Sequence, residues 1–479
     1  MQKSLKNRAV VSIFLKFSER FITTGMQVII SIIIARLLAP EDYGIIALIN
    51  VFITLSTVLI ESGFGVGLVQ KKELGENDIH TVFYSSLVLA VIIYILIYAT
   101  SPFVSEFYGI ADITPVLRIY AISIIMASMS SVLNSIVSRR LEYGKQLFAS
   151  VISTFVSGGI GIWMAYTGFG VWALVYQQIA QRLIYVIVMF ITTKYFPILK
   201  FSKQCFTEIL NFSWKIVAAK LIATFYNEVR NLIIGKKYDS NVLGFYNKGQ
   251  QIPATVATAT DYSLQNVMFS VYSKTQDDIW QLKNMVRRSM KLSAYILFPM
   301  MIGLLVVADP LVRVLLTEKW IGCVPFFQIS CLTYMMQPVN TANVQAINAL
   351  GKSDLVLKKE IEKRIVATVL IIIAVFINVY AIAISAFIVQ IYGWIQYMIL
   401  NKRILGYGVR EQLGDIIPII LASVLMGVVT SLVGILEISP LSTLIIQVLV
   451  GVIIYIITSL VFRLDSLSYL IDMIKEKKN

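Results

Sequence analysis

Apolar segments of about 20 residues follow one another along almost the whole chain, and they limit its fold more than any other feature. A bilayer core about 30 Å thick is crossed by such a segment as a helix, which satisfies its own backbone hydrogen bonds in lipid. With 57% hydrophobic and 14% charged residues, the chain is far from the composition of a soluble domain. We therefore predict an all-α polytopic membrane protein with about 14 transmembrane helices. They are predicted near residues 12–35, 44–69, 80–101, 114–137, 147–167, 170–193, 207–234, 243–271, 290–308, 322–349, 364–379, 381–400, 415–436 and 441–462.

Along the chain, connections rich in lysine and arginine alternate with connections that contain few of these residues. With a cytoplasmic N-terminus, the inner segments hold about 29 of the 41 basic residues and the outer loops about five, as the positive-inside rule requires. This pattern predicts that both termini are cytoplasmic and that the first helix is retained. It also accounts for the net charge of +14, so no nucleic-acid partner is expected.

Two stretches 200 residues apart carry the same polar residues at the same helical spacing. Arg20, Thr24, Gln27, Ser31, Arg36, Gly44 and Glu61 recur as Lys220, Thr224, Asn227, Asn231, Lys236, Gly244 and Asp261. Weaker matches continue through both halves, and they predict two pseudo-symmetric six-helix lobes, residues 1–200 and 201–402. Residues 403–479 would add two C-terminal helices and a cytoplasmic tail. An even number of helices per lobe places the pseudo-two-fold axis along the membrane normal, an arrangement typical of transporters.

Polar residues form one stripe along the predicted first helix, and the seventh helix repeats it. A charge inside the bilayer costs about 2.5–3.5 kcal/mol on insertion scales, so it normally faces a bundle interior or a wet cavity. We predict a substrate-binding cavity lined by both stripes. The alternative is that the side chains of Lys16 and Arg20 reach the inner membrane surface, with Glu19 neutralising one of them. The candidate cavity residues are Arg20, Lys220, Lys16, Gln27, Thr224, Asn227 and Lys248.

Glu61 and Asp261 are the matching acids of helices 2 and 8. A carboxylate inside a membrane can carry a proton or coordinate a cation. We therefore consider both as candidates for ion coupling or for a gate. The alternative is that each acid only pairs with a local basic residue or marks a helix end.

Few residues of this chain suit catalysis or cofactor binding. His80 is the single histidine, and the cysteines Cys205, Cys323 and Cys331 form no CxxC pair, which disfavours metal clusters and a Ser–His triad. Gly351-Lys352-Ser353 lacks the upstream glycine of a phosphate-binding loop, because Ala346 stands there. We expect a transporter without metal or cofactor rather than an enzyme.

Several motifs resemble bacterial polysaccharide and O-antigen flippases of the Wzx type, within the multidrug/oligosaccharidyl-lipid/polysaccharide exporter superfamily. The segment from Ala35 to Gly44 (ARLLAPEDYG) resembles their first outer loop, and Glu61 to Gly65 (ESGFG) their end of helix 2. The segments Asn231–Lys236 and Leu243–Tyr246 resemble their helix 7–8 junction.

The resemblance implies two lobes in a V around a central cavity in the bacterial cytoplasmic membrane. It also implies that undecaprenyl-pyrophosphate-linked oligosaccharide moves from the cytoplasmic to the outer leaflet by alternating access. Expected partners are this lipid-linked oligosaccharide, membrane lipids, and the polysaccharide polymerase and chain-length machinery. A cation-coupled multidrug antiporter and a lipid II flippase of the same superfamily remain as alternatives.

Overall fold

The computed structural model describes residues 2–65, 68, 75–275, 278–436 and 438–467, and within these ranges it is helical with no β-strand. The all-α prediction is confirmed. The predicted end of helix 2 at residue 69 and the tail at 468–479 lie outside the described residues. Helices of the first part are α1 (Gln2–Leu37), α2 (Pro40–Ile60), a π-helical turn (Glu61–Gly65), α3 (Glu76–Tyr108), α4 (Ile113–Tyr120), α5 (Ile122–Arg140), α6 (Tyr143–Tyr166), α7 (Val171–Thr193) and α8 (Lys203–Lys237).

The remaining elements begin with a long helix, of which residues 240–244 belong to the first compact unit described below. These elements are α9 (Ser240–Lys274), α10 (Ile279–Val306), α11 (Ala308–Leu315), a 3₁₀ turn (Glu318–Cys323), α12 (Val324–Met335), α13 (Gln337–Ala349), α14 (Ser353–Ile377), α15 (Val379–Leu405), α16 (Val409–Leu432), a 3₁₀ turn (Val433–Leu436) and α17 (Pro440–Val461).

Ten helices in the described part of the chain are long and apolar enough to cross a membrane. Four predicted spans do not meet that criterion, so the total of fourteen remains a prediction. α8 carries the polar stripe, α9 is rich in polar residues, and α14 begins with a charged stretch. The predicted span at 322–349 is divided into α12 and α13 at Met336, two residues before Pro338. Large apolar side chains such as Leu449 and Val452 of α17 are exposed, as expected for helices that face lipid.

The first compact unit comprises Met1–Gly244. α6 packs closely against α7 and α1, while α8 packs against α2, α3 and the π-helical turn. The unit therefore includes α8, which the sequence repeat assigns to the second lobe; the division of the duplicated halves at residue 200 remains a prediction.

The second compact unit comprises Phe245–Asn479, and α10 packs against α12, α13 and α16 within it. A fully buried amide network fixes three of its helices. Asn343 of α13 donates to Gln412 Oε1 of α16 at 3.0 Å, and Asn401 of α15 donates to Asn343 Oδ1 at 2.5 Å. Buried hydrogen bonds of this kind hold the three helices in one register.

Candidate functional site

The predicted polar stripe lies on α1 and reaches into a candidate membrane span, Phe14–Leu37. Arg20 and Gln27 are exposed on this helix. Lys16 lies at the other end of the stripe, with Nζ 2.9 Å from Glu19 Oε2, and Ser150 donates to the second Glu19 oxygen at 2.7 Å. Glu19 therefore neutralises Lys16 locally, as the alternative interpretation of this residue expected.

α8 carries the equivalent stripe. Lys220 and Asn227 are exposed and Thr224 is half-buried. Because α8 packs against α2 and the π-helical turn in the first unit, the structure places Lys220 in the same unit as Arg20.

The repeat-related glycines Gly44 and Gly244 meet at the beginnings of α2 and α9, within the first unit. A Cβ on Gly44 would lie 1.8 Å from the Ser240 carbonyl oxygen, and one on Gly244 would lie 2.0 Å from the Pro40 carbonyl oxygen. Since Pro40 and Ser240 are also 200 residues apart, the contact is symmetric. Only glycine permits this close backbone approach, so the duplicated glycine has a packing reason.

A polar cavity of about 360 Å³ lies inside the first unit, between α1, α5, α6 and α7. Thr23 and Gln27 of the stripe line it together with Glu19, and Arg182 contributes a cation from α7. Two hydrogen bonds order its wall: Gln181 Nε2 donates to Thr154 Oγ1 at 3.3 Å, and the Tyr185 hydroxyl donates to Asn134 Oδ1 at 2.5 Å. The cavity can solvate and hydrogen-bond a polar group at membrane depth.

Glu61 begins the π-helical turn that ends α2. Such turns are rare and often occur at functional sites. Ser135 of α5 fixes this one by donating to the Gly65 carbonyl at 3.1 Å. The positive charges that act on the Glu61 carboxylate are those of Arg182 and Lys220. The Glu61 carboxylate therefore lies within electrostatic range of both Arg182 of the cavity and Lys220 of the α8 stripe.

The remaining candidates lie in the second unit. Asp261 of α9 accepts a hydrogen bond from Gln337 Nε2 of α13 at 3.0 Å. Lys248, 5% exposed, has its ammonium 5.8 Å from the centre of the Trp320 ring and next to Cys323. It is enclosed by protein rather than presented to a ligand.

Sequence reasoning missed the α7 residues. Four polar residues of α7 lie at positions i, i+1, i+4 and i+5: Gln177, Gln178, Gln181 and Arg182. This helical spacing inside an apolar span could have identified them. The second half does not repeat this pattern, so a search based on the duplication passes over it.

Residues 33–325 of the chain match the sequence model of a family described as "Polysaccharide biosynthesis protein". The lipopolysaccharide biosynthesis protein WzxC of Escherichia coli (strain K12) is 21% identical over 427 residues, which cover 85% of each chain. The teichuronic acid biosynthesis protein TuaB of Bacillus subtilis (strain 168) is 21% identical over 302 residues, which cover 62% of each chain.

Among solved structures, the lipid II flippase MurJ in an inward closed conformation is similar, with a TM-score of 0.75 and 15% identity. The match covers 95% of this chain and 99% of that one. At this identity the similarity concerns the fold, that of a multi-pass membrane transporter, and the predicted family resemblance is confirmed by the sequence matches.

Proposed function

The chain belongs to the polysaccharide biosynthesis protein family, and on that premise we propose that it is a flippase for lipid-linked oligosaccharide. Its substrate is an undecaprenyl-pyrophosphate-linked oligosaccharide, moved from the cytoplasmic to the outer leaflet of the bacterial cytoplasmic membrane by alternating access. Both termini lie in the cytoplasm. The names of WzxC and TuaB, which refer to cell-surface polysaccharides, favour this substrate over lipid II or a drug.

The set of Glu61, Arg182 and Lys220 is the observation that carries the proposal. A pyrophosphate is a multiply charged anion, and it enters a low-dielectric region only where fixed cations receive it. The charge of Lys220 already acts on a carboxylate, that of Glu61, and an incoming phosphate can offer this lysine a stronger anionic partner. Arg182 remains to balance Glu61 when this exchange occurs.

Arg20 supplies the second cation for the head group. Its guanidinium can bind a phosphate through two parallel N–H donors, which a lysine cannot do. Arg20 lies six residues, or about 9 Å along the helix, inside the candidate span that begins at Phe14. Lys16 is left out of the site because Glu19 neutralises it, and Lys248 because it is enclosed against Trp320.

The sugar meets neutral hydrogen-bonding groups. Gln27, Thr224 and Asn227 follow the two cations along the same helix faces, and amide and hydroxyl groups can both donate to and accept from sugar hydroxyls. Glu61 acts as a gate, because its carboxylate attracts Lys220 and Arg182 electrostatically in the absence of substrate. The polymerase and chain-length machinery receive the product on the outer side.

Alanine substitution of the two cations tests the proposal. In a strain that lacks its own polysaccharide flippase, Lys220→Ala and Arg20→Ala should each accumulate cytoplasm-facing lipid-linked oligosaccharide. Loss of one charge-assisted hydrogen bond weakens binding by roughly ten- to a hundredfold. Arg20→Lys should keep partial activity. The measurement is the intermediate extracted from membranes and the polymer at the cell surface.

Lys215→Ala is the matched control, because Lys215 is an exposed lysine of the same helix that lies beside Trp214. It should export normally. Full export by the Lys220 and Arg20 alanine variants, singly and combined, would contradict the head-group site. The wild-type chain should not rescue a strain that has been depleted of its lipid II flippase. If it does, lipid II is a substrate and the proposed restriction to lipid-linked oligosaccharide is wrong.

A further inference from the structure

A second basic cavity lies in the second unit, apart from the residues of the proposed substrate site. It has a volume of about 370 Å³ and is formed by the beginning of α10 and the segment that follows α17. Its polar lining consists of Asn284, Arg287, Arg288, Lys291, Asp465 and Ser466. Three cations thus surround one small space.

Arg287 is held in a fixed orientation at this cavity. Its Nε and one terminal nitrogen donate to the two oxygens of Asp415 at 2.6 Å each, and the Tyr407 hydroxyl donates to Asp415 Oδ2 at 2.8 Å. The Asp415 side chain is buried, whereas that of Arg287 is 47% exposed. A guanidinium has five N–H donors, so Arg287 retains donors for a ligand while its position is fixed.

Lys291 is paired in a way that permits exchange. Its Nζ lies 2.6 Å from Asp465 Oδ2, and this aspartate side chain is 82% exposed. Lys291 holds the pKa of the Asp465 carboxyl below its usual range through this hydrogen bond. Exposed ion pairs of this kind contribute about 0–1 kcal/mol. A phosphate with more acceptor oxygens can therefore take the place of the Asp465 carboxylate.

The cavity lies at the level where lipid head groups are found. α10 has 28 residues and is about 42 Å long, longer than the hydrocarbon core of about 30 Å. Its basic residues lie in the first half, next to Trp280, which is 75% exposed and of a residue type that favours the membrane interface. Leu460 and Val461, at the end of α17 and four or five residues before the lining residue Asp465, are 61% and 72% exposed, and they offer an apolar surface to an acyl chain.

We propose that this cavity binds the phosphate of an anionic phospholipid, with Arg287, Arg288 and Lys291 as its cationic partners and Asp465 as the group that the phosphate displaces. The acyl chains lie along the exposed end of α17. Basic pockets at the membrane interface are suited to anionic head groups. The lipid fastens the end of α17 to α10.

Titration of the purified full chain with phosphatidylglycerol, followed by native mass spectrometry, tests this site. The variant Arg288→Gln/Lys291→Gln should bind this lipid at least about tenfold more weakly. Asp465→Asn should bind it a few-fold more tightly, because the competing carboxylate is gone. Arg287 is left unchanged so that Asp415 keeps its two short hydrogen bonds, while the variant removes the longer ion pair of Lys291 with Asp415 at 4.0 Å.

The control variant is Lys402→Gln/Arg403→Gln, which removes two exposed cations at the end of α15 and should bind within about twofold of the wild type. Equal binding by the Arg288/Lys291 variant and this control would overturn the site, as would weaker binding by Asp465→Asn. The wild type and the Arg288/Lys291 variant should bind phosphatidylcholine with the same acyl chains equally, because its head group carries no net negative charge. Soluble glycerol phosphate should not displace the lipid at millimolar concentration; displacement would identify a soluble phosphate as the ligand and contradict the lipid.

Discussion

Glu61 and Asp261 occupy equivalent positions in the two halves of the sequence, yet their surroundings differ. Glu61 stands at a π-helical turn, where Arg182 and Lys220 act on its charge. Asp261 stands inside the continuous helix α9 and accepts a hydrogen bond from the neutral amide of Gln337. The duplication has kept an acid at both positions, but among the described residues cations act on the charge of Glu61, whereas Asp261 is bonded to a neutral amide. We infer that equivalent residues of the two halves have different tasks.

Gly44 and Gly244 show the opposite case, because their surroundings are the same. Each would place a Cβ within 2.0 Å of a backbone carbonyl oxygen. Gly44→Ala and Gly244→Ala should therefore each destabilise the protein by about 3 kcal/mol or more, since backbone atoms give way less readily than side chains. The measurement is the yield of monodisperse protein in detergent and its thermal unfolding midpoint.

Gly25→Ala is the control for this pair, because nothing lies within 4 Å of a Cβ at Gly25. Alanine is favoured over glycine in a helix by about 1 kcal/mol, so the control should be neutral or slightly stabilising. If only one of Gly44→Ala and Gly244→Ala lowers the unfolding midpoint strongly, the contact is not equally tight on both sides.

Glu61→Gln and Asp261→Asn sharpen the comparison of the acids. Glu61→Gln should retain bound lipid-linked oligosaccharide and slow export by about tenfold, because the carboxylate that competes for Lys220 is lost. Asp261→Asn should slow export less than about threefold, since the asparagine carbonyl can still accept from Gln337. Export rate and lipid-linked oligosaccharide in the purified protein are measured together. If both substitutions slow export equally, the two acids have the same role.

Surface labelling of intact cells tests the predicted direction of both halves. A tag in the exposed turn after Gly168, or after Ala111, should be labelled from outside, whereas one after Lys352 should not. A tag after Ser105 is unsuitable because Ser105 lies inside α3, with its hydroxyl donating to the Ile110 carbonyl at 2.7 Å. A tag after Glu437 is not used because this residue lies outside the described residues. Labelling at Lys352 alone would reverse the proposed orientation.

The sequence predicts the helices well, because hydropathy and helical spacing act locally. The stripe on α1 and α8, and the pairing of Gly44 with Gly244 as equivalents, follow from the same spacing. The π-helical turn was not predicted, although glycines at 63 and 65 indicate that α2 ends there. The amide network of Asn343, Asn401 and Gln412 joins residues 58 and 69 positions apart, and nothing local in the sequence specifies which buried amides meet.

Residues 195–202, which join the two halves of the sequence, are hydrogen-bonded to α3. Of the changes considered, weakening these bonds should affect stability and export least. His80 Nδ1 of α3 accepts from the Ile198 backbone N–H at 3.2 Å and lies 2.9 Å from the Tyr195 hydroxyl, while Thr81 Oγ1 accepts from the Ser202 N–H at 2.9 Å. Because a backbone N–H donates to Nδ1, the proton of the neutral ring is on Nε2.

His80→Ala should therefore leave the Ile198 N–H without this acceptor, at a local cost of about 1–3 kcal/mol. We expect faster hydrogen exchange at residues 195–202, a slightly lower unfolding midpoint and nearly normal export. His80→Gln, which can place a carbonyl oxygen near Nδ1, should restore part of the protection. Faster exchange in α8 as well would show that this segment also positions Lys220, and the two halves would then be joined more tightly than the contacts of His80 indicate.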